Sequence, residues 1–96
     1  MAASNSPTLL SSEKTVTTSG TAEALAATDK VNGVLVIAKT GNTGQVYVGG
    51  SDVATTTNDG LDAGDALELP GWLDLADIYI DVDTSGEGVD FYATKA

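Results

Sequence analysis

The feature that most constrains the fold is a series of short segments in which apolar and polar residues alternate. The clearest is 77–83, where Ile78, Ile80 and Val82 face one way while Tyr79 and Asp81 face the other. A period of two residues is typical of a β-strand with one buried face. About seven such segments follow one another at roughly ten-residue spacing between glycine-rich turns. The sequence therefore predicts an all-β fold, a small β-sandwich or jelly-roll-like domain of about seven to eight antiparallel strands.

Other segments add to this prediction. Residues 33–39 are apolar almost throughout, which predicts a strand covered on both faces. The turn residues 41–44 predict a hairpin into 45–48. The remaining expected strands are 14–18, ending at Ser19-Gly20; 22–27, for which a helix stays open; 65–69, with Leu67 and Leu69 inward and Glu68 outward; and 88–94, with Val89, Phe91 and Ala93 inward.

Residues 1–12 differ in composition from the rest of the chain. They are rich in Ala, Ser and Thr, and only Leu9 and Leu10 offer apolar anchors. We expect an N-terminal arm over 1–12, either disordered or laid across a neighbouring subunit, followed by a β-sandwich domain over 13–96. The long connection 49–64 is expected to be functional or partly structured.

The chain is acidic, and the imbalance is local. It has 96 residues, with 14 acidic side chains against 4 lysines, for a net charge of −10. Residues 1–50 hold three acids and three lysines, so the whole excess lies in 51–96. Phosphate backbones and anionic membrane surfaces are bound by basic side chains, so we expect neither nucleic acid nor membrane as a partner. Residues 1–14 lack the basic leader and apolar core of a signal peptide, which predicts synthesis in a cytoplasm without a secretion address.

Residue types argue against catalysis. The chain contains no His and no Cys, which excludes the usual nucleophile relays and zinc sites built on those side chains. No glycine-rich phosphate-binding motif is present. Paired carboxylates could support glycoside hydrolysis, but a domain this small has little room for a cleft that encloses a sugar. We therefore expect a protein that is not an enzyme, with no catalytic, cofactor-binding or metal-binding residues.

Residues 81–90 have two interpretations. They begin like an EF-hand loop, with Asp81, Asp83 and Gly86 at its first, third and sixth positions, but the twelfth position is Tyr92 instead of glutamate. Residues 85–92 also match most of a calcium-binding β-roll nonapeptide, but such repeats bind calcium between stacked turns and only one copy is present. The favoured interpretation is a hairpin turn from 77–83 into 88–94, in which Gly86 and Gly88 supply positive φ.

The aromatic residues also have two interpretations. Strand alternation places Tyr47, Tyr79 and Tyr92 away from the inner face, and Trp72 lies in 70–73, which we expect to be a corner between strands. These rings could form a stacking platform for sugars. The favoured alternative is that they fill contacts between subunits, where Tyr and Trp are enriched.

Three segments carry a resemblance to known proteins. They are KTGNTGQVYVGGSDV (39–53), GLDAGDAL (60–67) and DIYIDVDTSGEGV (77–89), and TVTTSGTAEA (15–24) adds to them. In this order they resemble a group of small all-β structural proteins encoded by tailed bacteriophages. The resemblance implies a virion structural protein, a capsid decoration or cement protein on the capsid surface that binds and stabilises the shell of the major capsid protein. The chain departs from the pattern at 53–59 and in its N-terminal arm.

The resemblance and the composition lead to one expected assembly and two alternatives. We expect a homo-oligomer, with a trimer favoured, whose residues 1–12 and one end of the sandwich contact the major capsid protein. The first alternative is a tail- or fibre-associated module that binds host glycans through Trp72 and the tyrosines. The second is a calcium-stabilised adhesion module that uses Asp81 and Asp83.

Overall fold

Two antiparallel sheets packed face to face make up the computed structural model, which describes residues 8–95. The strands are β1 (Thr8–Thr15), β2 (Glu23–Ala24), β3 (Lys30–Ala38), β4 (Val46–Gly49), β5 (Ala66–Asp74), β6 (Tyr79–Val82) and β7 (Gly88–Lys95). A single 3-10 turn, Leu75–Asp77, joins β5 to β6, and residues 8–95 contain no α-helix. None of the described segments is a helix long and apolar enough to cross a membrane. The predicted all-β sandwich is confirmed.

The strand order is that of a single long ribbon wrapped into two layers. One sheet has the order β1-β7-β3-β5 and the other β2-β6-β4. Strand β1 pairs with β7, β2 with β6, and β3 with β5. Strand β4 forms one isolated bridge, Val46 to Leu61, with the connection that leads to β5. These pairs are nested in the chain, which is the connectivity of a jelly roll. The fourth nested pair is here reduced to that one bridge.

The core lies between the two sheets. Alternating residues of β3 and β7 enter it from the four-stranded sheet, and residues of β4 and β6 enter it from the other sheet. Each large apolar side chain buried there contributes about 1.5–3 kcal/mol relative to an exposed one. The predicted inner faces are confirmed, because the core includes Ile78, Ile80, Val82, Val89, Phe91 and Ala93.

Two predictions about β3 are wrong. The turn over 41–44 does not close a hairpin, because β3 is already flanked by β5 and β7, and β4 pairs with β6 in the other sheet. Nor is β3 covered on both faces. Val34 and Val36 are buried, but Leu35 between them is 36% exposed. Although its residues are nearly all apolar, β3 therefore alternates like an ordinary strand, with one face buried in the core and the other exposed to solvent.

The boundaries of several other predicted segments differ from those of the observed strands. Residues 8–12, predicted as part of an arm, lie in β1 and pair with β7 from Thr8 opposite Lys95 to Ser12 opposite Phe91. Residues 1–7 of that predicted arm lie outside the described residues. The predicted corner over 70–73 lies inside β5, where Gly71 has a φ of 87°. Of the segment 22–27, only Glu23–Ala24 is strand.

Candidate interaction surface

The outer face of the four-stranded sheet carries the large hydrophobic side chains that the described chain leaves exposed. Leu9, Leu35, Trp72 and Tyr92 are 67%, 36%, 64% and 39% exposed. They come from β1, β3, β5 and β7, one from each strand of the sheet. We call these four residues the outer apolar face. Contiguous exposed apolar surface on a small protein marks a contact site more often than scattered single residues do.

Strand register explains why these side chains share a face. Tyr92 lies opposite Leu35 on β3 and opposite Ser11 on β1, and Leu9 lies opposite Thr94. Side chains of directly opposite residues project to the same side of a sheet, and neighbours along a strand project to opposite sides. The alternate residues therefore point inward, and Val34 and Ala93 are indeed buried.

Trp72 reaches the same face beside an irregularity. It lies opposite Asn32 on β3, and the register between β3 and β5 shifts between Asn32 and Val34. The residue at the shift is Gly33, with a φ of 82°, and Gly71 precedes Trp72 with a φ of 87°. Positive φ at these values is costly for any residue with a Cβ, so glycine permits this bulge.

A shallow open groove of about 340 Å³ crosses the outer apolar face. Its apolar lining comes from Leu9, Leu35, Pro70 and Tyr92, and Gly33 leaves part of its floor without a side chain. Glu68 is the single charged residue in the lining. A shallow and mostly apolar groove of this kind suits an apolar side chain of another protein better than an enclosed small ligand.

The polar border of this face is locally paired. Lys39 Nζ lies 2.6 Å from Glu13 Oε1 and 2.7 Å from Asp90 Oδ1. These contacts, with Asp90 the larger contributor, raise the pKa of Lys39 above its ordinary value. The groups are partly exposed to solvent, so each bond adds little to stability. One lysine and two carboxylates leave a net charge of −1 here, a small part of the chain's −10.

The acidic turn over 81–90 does not close the predicted hairpin, because β6 and β7 lie in different sheets. Its carboxylates instead bind the backbone of neighbouring turns. The Glu87 carboxylate accepts hydrogen bonds from the backbone N–H groups of Thr43 (2.8 Å) and Gly44 (3.1 Å). These bonds lower the pKa of Glu87. Asp83 accepts one from the Gln45 backbone N–H at 3.1 Å and one from the Tyr47 hydroxyl at 3.0 Å. The carboxylates here satisfy protein donors, and no group of three metal-ligating side chains occurs within residues 8–95.

The two glycines of this turn have different roles. Gly86 has a φ of 89°, as predicted, but Gly88 does not have positive φ, so that prediction is wrong. A Cβ at Gly88 would overlap the backbone of Lys14 and Thr15 on β1. Gly88 is therefore required by the close approach of β7 to β1, which turn chemistry alone does not reveal.

The predicted aromatic platform is only partly assembled. Tyr92 shares its face with Trp72, but Tyr47 is 6% exposed, and Tyr79 belongs to the three-stranded sheet. Burial, followed by the hydrogen bond to Asp83, raises the pKa of Tyr47. Sequence reasoning missed Leu9, which it assigned to the arm, and Leu35, which it expected to be covered. It named Asp81 as an outward-facing residue but missed its burial: Asp81 is 1% exposed and accepts the Gly20 backbone N–H.

A scan of protein-family models, a search of curated proteins and a search of solved structures find no match to this chain. The resemblance to phage structural proteins therefore stays a prediction.

Proposed function

We propose that this chain is a structural protein of a phage particle, a capsid decoration protein that binds the major capsid protein shell and stabilises it. The observation that carries the proposal is the outer apolar face, Leu9, Leu35, Trp72 and Tyr92, held on a sheet of four strands. The likeness of residues 39–53 and 77–89 to phage structural proteins supplies the biological setting. A rigid sheet with exposed aromatic and aliphatic anchors is suited to binding a protein surface.

The chemistry of the face favours a protein partner. Trp and Tyr are enriched in the cores of protein interfaces because they bury much apolar area at low entropic cost. The net charge of −10 favours a shell surface with basic residues, since complementary charge steers docking. Apolar anchors would then supply affinity, and the acidic surroundings would orient the approach.

The first experiment measures the number of copies of this chain in purified virus particles, by quantitative mass spectrometry against the major capsid protein. A copy number that scales with the shell is the expected result. A handful of copies per particle would overturn decoration and assign the chain to a tail, portal or fibre. Absence from the particle would contradict any virion role.

A second experiment tests the surface. The double variant Leu35→Ser, Trp72→Ser should lose binding to purified shells while it keeps the β-sheet circular dichroism of the parent. A lower melting temperature is expected, because Leu35 is only 36% exposed. Ala27→Ser, an exposed position outside the four-stranded sheet, is the matched control and should bind normally. Undiminished binding by the double variant would contradict the assignment of this face.

The predicted arm requires a narrower test than deletion of 1–12, because that deletion would also remove part of β1. Deleting residues 1–7 leaves β1 whole. We expect the shortened chain to fold and to lose shell binding. Normal decoration by that variant would exclude a gripping role for residues 1–7.

A second candidate function, binding of host glycans on a tail or fibre, is favoured by one observation. Trp72 is 64% exposed and shares a face with Tyr92. A glycan array tests it: binding that disappears in Trp72→Ala would support it, and an array without signal would exclude it.

A further inference from the structure

The four sheet edges of the described chain are very unequally protected. Strand β2 has only two residues, and β4 has four and is bridged by Leu61. Strand β5 carries Pro70 and the bulge at Gly71. Short strands, proline, bulges and charged side chains are the devices that keep sheet edges from pairing with other chains.

Of these devices strand β1 has only two charged side chains, Glu13 and Lys14, and each is paired within its own chain. It runs for eight residues, contains no proline, and pairs with β7 without a register shift. Six of its residues are exposed, and Leu10 and Lys14 are half-buried. Among residues 8–95, its neighbour in the sheet lies on one side only, the side of β7.

The hydrogen-bond pattern shows which backbone groups of β1 face away from β7. The Val16 N–H donates to the Glu87 carbonyl at 3.0 Å, and the Lys39 N–H donates to the Gly88 carbonyl at 3.1 Å. Backbone groups in a strand alternate in direction, so Lys14 and the other even-numbered residues of β1 bond to β7. The N–H and C=O groups that face outward therefore belong to Leu9, Ser11, Glu13 and Thr15.

We infer that β1 pairs antiparallel with β1 of a second copy, about a two-fold axis at Ser12. In this register Leu9 lies opposite Thr15, and Ser11 lies opposite Glu13. Each outward-facing residue then meets another outward-facing residue, so the backbone groups of all four are satisfied. This pairing goes beyond the proposed function and does not depend on it, because it rests on the β1 edge, which has no neighbouring strand on its outer side among residues 8–95.

Charge favours a second copy at this edge in particular. Glu13 Oε1 lies 2.6 Å from Lys39 Nζ, and Lys14 Nζ lies 2.9 Å from Glu23 Oε1, within the same chain. The register places Glu13 opposite Ser11, so like charges do not face each other directly. In a chain of net charge −10, the β1 edge is a place where two copies approach with little repulsion.

The pairing also joins the two outer apolar faces. Leu9 lies on β1 itself, so the faces of both copies become parts of one eight-stranded sheet. An isologous contact of this type closes at two copies. We therefore infer a dimer where the sequence alone favoured a trimer.

Sedimentation equilibrium of the full chain measures its oligomeric state. Ser11→Pro and Ser11→Ala serve as a matched pair of variants. The Ser11 N–H faces away from β7, so proline removes an intermolecular donor without removing a bond to β7. We expect twice the chain mass for the parent and Ser11→Ala, and the chain mass for Ser11→Pro with retained β-sheet circular dichroism. A monomeric or trimeric parent, or a dimer unaffected by Ser11→Pro, would overturn the inference.

Cysteine cross-linking tests the register and remains informative if Ser11→Pro fails to fold. The chain has no cysteine, so Ser12→Cys introduces a single thiol. Its Cα would lie about 4.5 Å from its symmetry mate in a pair of this type, within disulfide range. The Ser11 positions would be about 8 Å apart, beyond that range. Rapid oxidative dimerisation of Ser12→Cys but not Ser11→Cys is expected; equal rates, or no cross-linking of Ser12→Cys, would exclude this register.

Discussion

Single carboxylates hold the turns of this protein in place. Asp74 accepts backbone hydrogen bonds from Asp29 and Ala76, both at 3.0 Å. Glu23 accepts one from Thr17 at 2.7 Å. Glu87 does the same for the turn before β4, and the pKa of each of these three carboxyls is lowered mainly by those backbone donors. Part of the acidic excess is therefore structural.

Stability should consequently fall in acid. The backbone donors of Gly44 and Thr43 place the pKa of Glu87 lower in the folded chain than in the unfolded chain. Its contribution is present above the unfolded value and is lost as the pH falls through the folded value. We expect Glu87→Gln to have a lower melting temperature than the parent near neutral pH, and a smaller further loss between about pH 5 and about pH 3.

The control for this prediction is Glu68→Gln, because the Glu68 side chain makes no salt bridge among the described residues. It should follow the parent's pH profile in thermal melts by circular dichroism. If Glu87→Gln also follows that profile, the backbone bonds to Glu87 do not contribute to stability.

Gly88 offers a second test at this scale. A Cβ at Gly88 would overlap the backbone of β1, while a Cβ at Gly41 has nothing within 4 Å. Neither glycine has positive φ, so the two differ in space and not in backbone strain. Gly88→Ala should reduce the free energy of unfolding by about 2 kcal/mol or more. Gly41→Ala should change it by less than about 0.5 kcal/mol. Urea titration measures both, and equal effects would contradict the close approach.

At the scale of elements, the bulge between β3 and β5 sets the direction of Trp72. Gly71 has a φ of 87°, and nothing lies within 4 Å of the Cβ it would carry. The cost of Gly71→Ala is therefore that of positive φ, about 1–2 kcal/mol. Because Trp72 is the single tryptophan, its fluorescence emission reports whether the conformation of the bulge changes. We expect lower stability and altered emission in Gly71→Ala, and unchanged emission in Gly41→Ala.

The strands themselves were easier to predict from the sequence than the strands with which they pair. The alternation of 77–83 and 88–94 correctly identified the inner residues, because one buried face of a strand imposes that pattern directly. The partner of β4 was not predictable, since the turn before β4 reveals its length but not that both sides of β3 are already occupied. The outer apolar face depends on register across four strands, so Leu35 could not be separated from its buried neighbours by sequence alone.

At the scale of the whole molecule, the nested ribbon unites distant parts of the chain. The outermost pair joins Thr8 to Lys95, and the innermost pair joins Val46 to Leu61. This wrapping places β1 at a sheet edge and β7 beside it. It thereby generates the outer apolar face and the free edge together, from residues that lie far apart in the sequence.

The net charge of −10 makes salt a discriminating variable for the two proposed contacts. Two copies repel each other through charges that lie away from the paired β1 edge, and salt screens that repulsion over about 10 Å at 0.1 M. Self-association should therefore tighten as salt is raised. Docking of the acidic chain on a basic shell surface should weaken over the same range, because salt screens an attraction there. Sedimentation of the free chain and co-sedimentation with shells, both in a salt series, measure the two trends. Self-association that weakens with salt would mean that attraction between charges drives the contact, and the neutral β1 edge would then not be the site of pairing.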